Sequence, residues 1–581
     1  MQKIELAHIL KEKDIYIFRK HPFINNFLIS LLERILLIKR VNNFIEKNSH
    51  LDTVTFIKEL FDSINFSYLI SSNEIERIPA EGRLICVSNH PIGSLDGLSL
   101  LKAFLEVRND VKIIANDVLI ALDIIKPYIL PVNIFSLSTS KREYITTIKT
   151  ALENECAVII FPAASVSRLN WFRIMDSAWH KGAISLARKY SCPILPVYIE
   201  GKNSTLFYLV SLISKNISTL LLSYEMFNKK DRSIRIKIGE LIPNKAFSNS
   251  YINDTYNIKL LKKHVYLFGK KNKTVFKTEK NVVHPVDRRF IKRELNNSRL
   301  LCSLNDKMQI YLTNKNDSPH CINEIARLRE TTFRKIGEGT GRKLDIDKFD
   351  CHYSHIILWD DVELEIVGSY RIGNGKLILN NIGLGGLYTA SLFNFSPEFE
   401  TDYIPQSFEL GRSFIQKKYW NTKALDYLWR GIGTYISLNP EIKFLFGAVS
   451  ISNSYPEPAK KMIVHFYQKW YSSKVQLVES QNKYIAKLDH EFSKLFNGNS
   501  SRKDYLILKH ILNSMNSSVP VLYKHYTDLC DDGGVRFLDF GVDPDFKNCI
   551  DGLILVDIEK IKNEKKKKYI NPQLNEIKIS A

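Results

Sequence analysis

A chain of 581 residues is too long for one ordinary domain, and its 45% hydrophobic and 11% aromatic content excludes a disordered polymer, so two packed units of catalytic size are expected. The 82 Lys and Arg against 62 Asp and Glu leave a net charge of +20, which favours acidic partners: nucleic acid, anionic lipid headgroups or an acidic carrier protein. Zinc-finger spacing, an RNP-like aromatic box and a basic heptad region are all lacking, which argues against nucleic acid.

The eight scattered cysteines form no Cys-x-x-Cys pair, so no metal site is expected and the thiols read as reduced, in a cytosolic compartment. The first residues lack the apolar run of a secretory signal, and no window reaches the roughly 18 apolar residues of a spanning helix. Residues 1–70 read as a helical region. Stretches 23–41 and 207–224 read as helices lying against something apolar, either their own core or a membrane surface.

From Arg83 the texture alternates strands and helices: strands at 84–87, 111–114, 157–161 and 194–199, a helix at 98–104, and a late half-exposed strand at 233–239. This alternation predicts an α/β domain over 71–265. Residues 266–304, with Lys270, Lys271, Arg288 and Arg289, read as a basic linker. A second α/β domain is expected over 305–560, with strands at 308–312, 355–359, 365–370 and 407–415 and helices at 324–333 and 424–436. Residues 561–581 read as a solvated basic tail.

The most informative segment is Ser88-Asn89-His90-Pro91-Ile92-Gly93-Ser94-Leu95-Asp96-Gly97. It places His90 at a strand end and Asp96 in the first turn of a helix, with Pro and Gly allowing a tight bend between them. A carboxylate so placed orients the imidazole, which can then take a proton from a hydroxyl attacking a thioester. The bland alternative is that Asp96 caps the helix and His90 is a turn residue.

Together with Phe161-Pro162-Ala163-Ala164, Arg168, Trp179, Gly182 and Pro193 to Val197, this segment resembles the glycerolipid (lysophospholipid) acyltransferase family, in its hemolysin-like branch. The resemblance covers about residues 70–245 and implies a glycerolipid acyltransferase-like layered fold, with His90 as general base and Asp96 as its partner. It also implies Asn89, Gly93, Phe161, Pro162 and Arg168 around the substrate, and less directly Lys141 and Arg142. Ala164 stands where the branch tends to have glycine.

In the second half, Arg329-x3-Phe333, Asp347-x-x-Asp350 followed by His355, Arg371 at a strand end and Glu409-x-x-Arg412 occur in order. They resemble the acetyltransferase-type (GNAT-like) N-acyltransferases that include autoinducer synthases and ornithine-lipid synthases. That resemblance implies Glu409 as base and Arg329, Phe333, Asp347, Asp350, Arg371 and Arg412 as shapers of the amine and carrier sites. The same charges also read as an internal salt-bridge network. No Gly-rich pyrophosphate loop follows Ile415, which favours acyl carrier protein over CoA as donor.

Both domains on one chain resemble bifunctional ornithine-lipid synthases. The implied activity is N-acylation of an amino acid by a 3-hydroxyacyl group from acyl carrier protein, with acyl-CoA as the other donor, and then O-acylation of the 3-hydroxyl of the lyso-aminolipid. No further cofactor is implied. The expected partners are the carrier protein and an anionic membrane surface, at the inner face of a bacterial membrane. The alternatives are lysophosphatidate or lysophospholipid remodelling and a non-catalytic membrane-binding scaffold.

Overall fold

Short apolar runs without polar alternation mark strands covered on both faces, and the first half of the chain is built on them. The computed structural model describes residues 37–116, 124–132, 140–170, 173–247, 253–304, 307–487 and 500–570, with Ser30, Glu33, Arg34, Leu495 and Phe496. The chain divides into two units between His284 and Pro285. Among the described residues no helix is long and apolar enough to cross a membrane.

The first unit opens with helices α1 (Ile38–Asn48) and α2 (Thr53–Ser63). Its strands are β1 (Ser67–Leu69), β2 (Leu84–Ser88), β3 (Val111–Asn116), β4 (Ile129–Val132), β5 (Ala157–Ile160), β6 (Arg168–Asn170), β7 (Arg173–Met175), β8 (Ile194–Glu200) and β9 (Ser233–Ile238). Among the described residues seven of them form a sheet in the order β1-β9-β8-β2-β5-β3-β4, parallel except between β8 and β9. β6 and β7 make a separate hairpin. Every residue of β2 is buried, and the strand lies between β5 and β8. The chain turns from β2 toward β3 on one side and reaches β8 on the other. The carboxyl end of β2 is thus a switch point of the kind where open α/β sheets bind ligands.

Helix α3 (Ser94–Leu105) follows β2, α4 (Ser140–Glu153) precedes β5, and α8 (Asp254–Lys271) closes the unit. The apolar stretch 207–224 is broken into parts of α5 (Thr205–Ile213), α6 (Lys215–Leu220) and α7 (Leu222–Phe227). Most of the stretch 23–41 lies outside the described residues.

The second unit contains α9 (Arg288–Asn296), β10 (Arg299–Ser303), β11 (Met308–Asn314), α10 (Pro319–Ile336), β12 (Ser354–Asp360), β13 (Glu365–Asn374), β14 (Phe393–Phe395), β15 (Ser407–Ile415), α11 (Ala424–Ser437), β16 (Phe444–Ile451), β17 (Val478–Ser480), β18 (Val535–Asp543) and β19 (Cys549–Asp557). Eight strands form a sheet in the order β10-β11-β12-β13-β15-β16-β19-β18 among the described residues. It is antiparallel except at β15–β16. That parallel pair joins only Ser407–Glu409 to Phe444–Phe446, although the strands run on to Ile415 and Ile451. A Cβ on Gly447 would sit 2.0 Å from the Leu410 carbonyl, so the strands touch there and then part. The parting opens a wedge in the middle of the sheet.

The stretch 266–304 differs from the linker expected of it. α8 buries Ile258, Leu261 and Val265 in the first unit, and α9 and β10 belong to the second. Ile291 and Leu295 of α9 are buried four residues apart, so its basic residues are the outer face of an amphipathic helix. The tail likewise begins folded: a helix over Asn563–Tyr569 buries Tyr569, whose hydroxyl donates to Asp426 at 2.5 Å.

Candidate active sites

In the first unit the chain leaves β2 at Ser88 and turns through His90 into α3, whose N-cap is Gly93 at φ 102°. Asp96 is fully buried, and its Oδ2 accepts hydrogen bonds from the Ile92 and Gly93 amides at 2.9 and 3.0 Å. The same oxygen lies 3.1 Å from His90 Nδ1. Capping and pairing are therefore one arrangement: the first-turn carboxylate terminates α3 and faces the imidazole. Burial pushes the Asp96 carboxyl above the usual range, against the lowering pull of His90 and the two amides. The His90 ring is 19% exposed and lies 4.3 Å from the Phe161 ring. With Nδ1 toward Asp96, Nε2 is the nitrogen left to meet a substrate.

Asn89 is placed differently from a substrate contact. Its Nδ2 donates to the Ile199 carbonyl at 2.9 Å and its Oδ1 accepts from the Ile199 amide at 2.8 Å, which locks the end of β2 to β8. Arg168 donates to Ser218 Oγ, the Lys215 carbonyl and Thr219 Oγ1 of α6, and lies 5.8 Å from the Phe207 ring. Its guanidinium thus pins the β6–β7 hairpin to α6. Pro162 takes the His180 amide on its carbonyl at 2.9 Å. Ala164 sits at φ 53°, the left-handed region that favours glycine, the residue expected there from the resemblance. Lys141 and Arg142 lie in α4, and their side chains are outside the described residues.

Sequence reasoning missed Asp176. It is buried, and its Oδ1 accepts from the His90 amide at 3.3 Å and from Ser167 Oγ at 2.5 Å, while its Oδ2 accepts from Trp179 Nε1 at 2.9 Å. One carboxylate thereby fixes the backbone of His90 and the loop after β5. The Trp179 indole was the signal to follow, since a buried N–H needs an acceptor.

In the second unit the expected residues converge on one buried network. Arg329 on α10 donates from both terminal nitrogens to Asp350 at 3.0 Å, a bidentate pair. Its Nε lies 3.3 Å from Asp345. Arg371 donates to Asp347 at 2.6 Å, and Arg412 donates to Asp347 at 3.3 Å. Burial would raise Asp350, but Arg329 and Arg371 hold it well below the usual carboxylate range. Burial and the adjacent guanidinium of Arg329 push His355 down to about 3, so it is neutral at pH 7. Phe333 is buried in the core, its ring 5.5 Å from Phe546, over which the Arg412 guanidinium lies at 4.1 Å. Asp345 is the member that motif reading left out.

Glu409 is buried and fully engaged: it accepts from the Tyr353 hydroxyl, from the Thr389 amide at 2.7 Å and from the Tyr388 amide at 3.3 Å. Burial holds its carboxyl above the usual range, against the lowering pull of Tyr353 and Thr389. Such an acceptor anchors the loop at Tyr388–Thr389 and has little capacity left to take a proton from an amine.

A second acidic group lies past the point where β15 and β16 part. Asp551 pairs across the sheet with Ser450, whose hydroxyl donates to Glu338 at 3.0 Å. Asp543 accepts from the Tyr388 hydroxyl at 2.9 Å, and Arg412 lies 4.9 Å from the Tyr388 ring. Burial, then Asp543 and Glu338, push Asp551 up to about 8, and burial pushes Glu338 up to about 7. Carboxyl groups poised near neutrality are suited to general-base work. No motif announces them, because Glu338 and Asp551 are more than 200 residues apart. Among the described residues no group of three or more His, Cys, Asp or Glu side chains is arranged to hold a metal ion.

The family described as acyltransferase matches residues 8–272, and the family described as acetyltransferase (GNAT) domain matches residues 328–430. A glycine N(alpha)-acyltransferase from Bacteroides thetaiotaomicron is 32% identical over 302 residues, 50% of this chain and 89% of that protein. The chain belongs to the acyltransferase family. It is an enzyme that transfers acyl groups, with an acyltransferase domain and a GNAT-like domain on one polypeptide. A lyso-glycine lipid O-acyltransferase from Phocaeicola vulgatus is 27% identical over 254 residues, 42% of this acyltransferase and 88% of its own length. A solved 1-acyl-sn-glycerophosphate acyltransferase from Thermotoga maritima overlaps 42% of this chain and 96% of its own, at 18% identity and a TM-score of 0.26.

Proposed function

We propose that the chain is a bifunctional aminolipid synthase that N-acylates an amino acid with a 3-hydroxyacyl group and then O-acylates the 3-hydroxyl. The observation that carries this reading is the presence on one chain of similarity to both an N-acylating and an O-acylating relative, each matched over almost its whole length.

In the second unit the thioester enters the wedge between β15 and β16. The neutral amine attacks its carbonyl, Asp551 or Glu338 in carboxylate form takes the ammonium proton, and the thiolate leaves. Arg329, Asp347, Asp350, Arg371 and Arg412 hold the wedge in shape, and Glu409 positions Tyr353 and the Tyr388 loop. In the first unit His90 Nε2 takes the proton of the 3-hydroxyl as it attacks a second thioester. Asp96 stabilises the imidazolium, which returns the proton to the departing thiolate.

Acyl carrier protein is the donor we favour, since residues 416–423 between β15 and α11 contain no glycine to wrap a pyrophosphate. Glycine is the head group the relatives' names support. Ornithine is the second reading, favoured by the excess of carboxylates at Glu338, Asp543 and Asp551, which suits a second ammonium.

Peripheral attachment to the inner leaflet is supported by α5, which leaves Leu206, Leu209, Leu212 and Ile213 at 52, 56, 62 and 86% exposure on its outer face. Such a stripe, flanked by exposed Lys202 and Lys215, matches the apolar interior and anionic surface of a bilayer.

The test supplies the purified full chain with a 3-hydroxyacyl carrier protein and, in parallel, glycine, ornithine or lysophosphatidate, and follows amide and ester products by mass spectrometry. Acylated amino acid with glycine or ornithine supports the reading. Acylation of lysophosphatidate alone would replace it with phospholipid remodelling.

A further inference from the structure

The first unit carries, between β7 and α8, a cleft that acyl transfer as described does not use. Its volume is about 440 Å³, and its lining includes Arg173 of β7 and Lys259, Lys262, Lys263, Lys270 and Lys271 of α8. Among the described residues no acidic side chain lines it. Like charges spaced three and four apart on one helix, as Lys259 is from Lys262 and Lys263, each cost a few tenths of a kcal/mol. Six cations facing one concave space therefore call for an anion.

The cleft is joined to the chemistry by its floor. Lys262 Nζ donates to the carbonyls of Asp176 and Ser177 at 2.7 and 2.8 Å, and the Tyr266 hydroxyl, also in the lining, accepts from the Asp176 amide at 3.0 Å. Asp176 in turn holds the His90 amide. Met175, the neighbour of Asp176, lines the cleft. An anion seated here is thus anchored one residue from the carboxylate that positions the imidazole.

We propose that this cleft binds the phosphate of the pantetheine arm that carries the acyl thioester to His90. The proposal rests on the O-acyl transfer assigned above to the first unit. A concave site of this volume suits a small charged group rather than the flat face of a protein, and exposed lysines serve phosphate as point charges. The arm is common to acyl carrier protein and CoA, so the cleft reads the chemistry the two donors share.

The test uses the full chain and a Lys259→Gln/Lys263→Gln/Lys270→Gln variant, leaving Lys262 in place because it supports Asp176. One acyl group is offered on carrier protein, on CoA and on pantetheine without phosphate, with a lyso-aminolipid acceptor. The expected result is a KM at least tenfold higher for the phosphate-bearing donors, with kcat within twofold and acyl-pantetheine unaffected. A rise with all three donors, with none, or with carrier protein alone overturns the proposal. So does loss of binding to anionic phosphatidylglycerol vesicles at unchanged donor KM, which would make the cleft a headgroup site. Independently of turnover, 4′-phosphopantetheine titrated by calorimetry should bind the wild-type chain at least tenfold more tightly than the variant, and equal affinities overturn the assignment. Absence of acyl transfer from every donor by the wild-type chain, with that difference intact, would count against the O-acyl reading and not against the cleft.

Discussion

Replacing Asp96 by asparagine separates the two jobs that one buried carboxylate performs. Unit charges 3.1 Å apart attract by about 5 kcal/mol at an effective dielectric of about 20. Solvent reaches the His90 ring, which is 19% exposed, and trims this to about 3 kcal/mol. In the proposed step positive charge develops on the His90 ring as the hydroxyl attacks, so the loss is expected in kcat and amounts to about 10²-fold. Stability should not fall with it. Burial already disfavours the charged carboxyl, and the side-chain oxygen of the introduced asparagine can accept the same Ile92 and Gly93 amides. The assay is thiol release from the acyl donor in the presence of a mono-acylated 3-hydroxyacyl amino acid, beside a thermal melt. A loss in kcat below threefold would reduce Asp96 to a helix cap. A large loss accompanied by a lower Tm would make its effect structural, and either outcome refutes the reasoning.

Three further outcomes follow from the same geometry. Ala164→Gly should stabilise the first unit by about 1 kcal/mol in urea unfolding, since Ala164 occupies φ 53° at a cost a glycine avoids. Arg329→Met leaves Asp350 and Asp345 buried without their guanidinium, and should cost about 3–5 kcal/mol in unfolding of the second unit. Asp551→Asn should lower N-acylation about 10²-fold while leaving O-acylation unchanged. The same variant has a pH signature. The folded pKa of about 8 lies above the ordinary aspartate value of 3.8, so stability is full below the lower value and is lost as pH rises toward the upper. Melting curves from pH 5 to 8 should therefore decline for the wild-type chain and decline less for Asp551→Asn.

The sequence made the His90–Asp96 loop legible because its parts are local. A strand, a tight bend and a first-turn carboxylate within ten residues leave one way to fold, and His90 and Asp96 meet as expected. The Arg–Asp network was legible by order along the chain, though its third aspartate, Asp345, and its geometry were not. Asp176 escaped because its partners, His90, Ser167 and Trp179, are brought together only by the packing of the end of β2, the loop after β5 and the segment after β7. Glu338 and Asp551 escaped for the same reason: their altered acidity comes from burial, and for Asp551 also from the nearby charges of Asp543 and Glu338, which no spacing encodes. The basic run around Lys270 and Arg288 read as a linker because its charge concealed the buried Ile291 and Leu295 at helical spacing.

The most direct test of the two-step account is the lipid content of a bacterium that makes no aminolipids and expresses this chain or its His90→Ala variant. Tandem mass spectrometry of the wild-type extract should give a phosphorus-free, two-chain lipid with an amino-acid fragment, and the variant should accumulate the mono-acyl species. Changes confined to phosphatidate, or a two-chain aminolipid that persists in the variant, would contradict it.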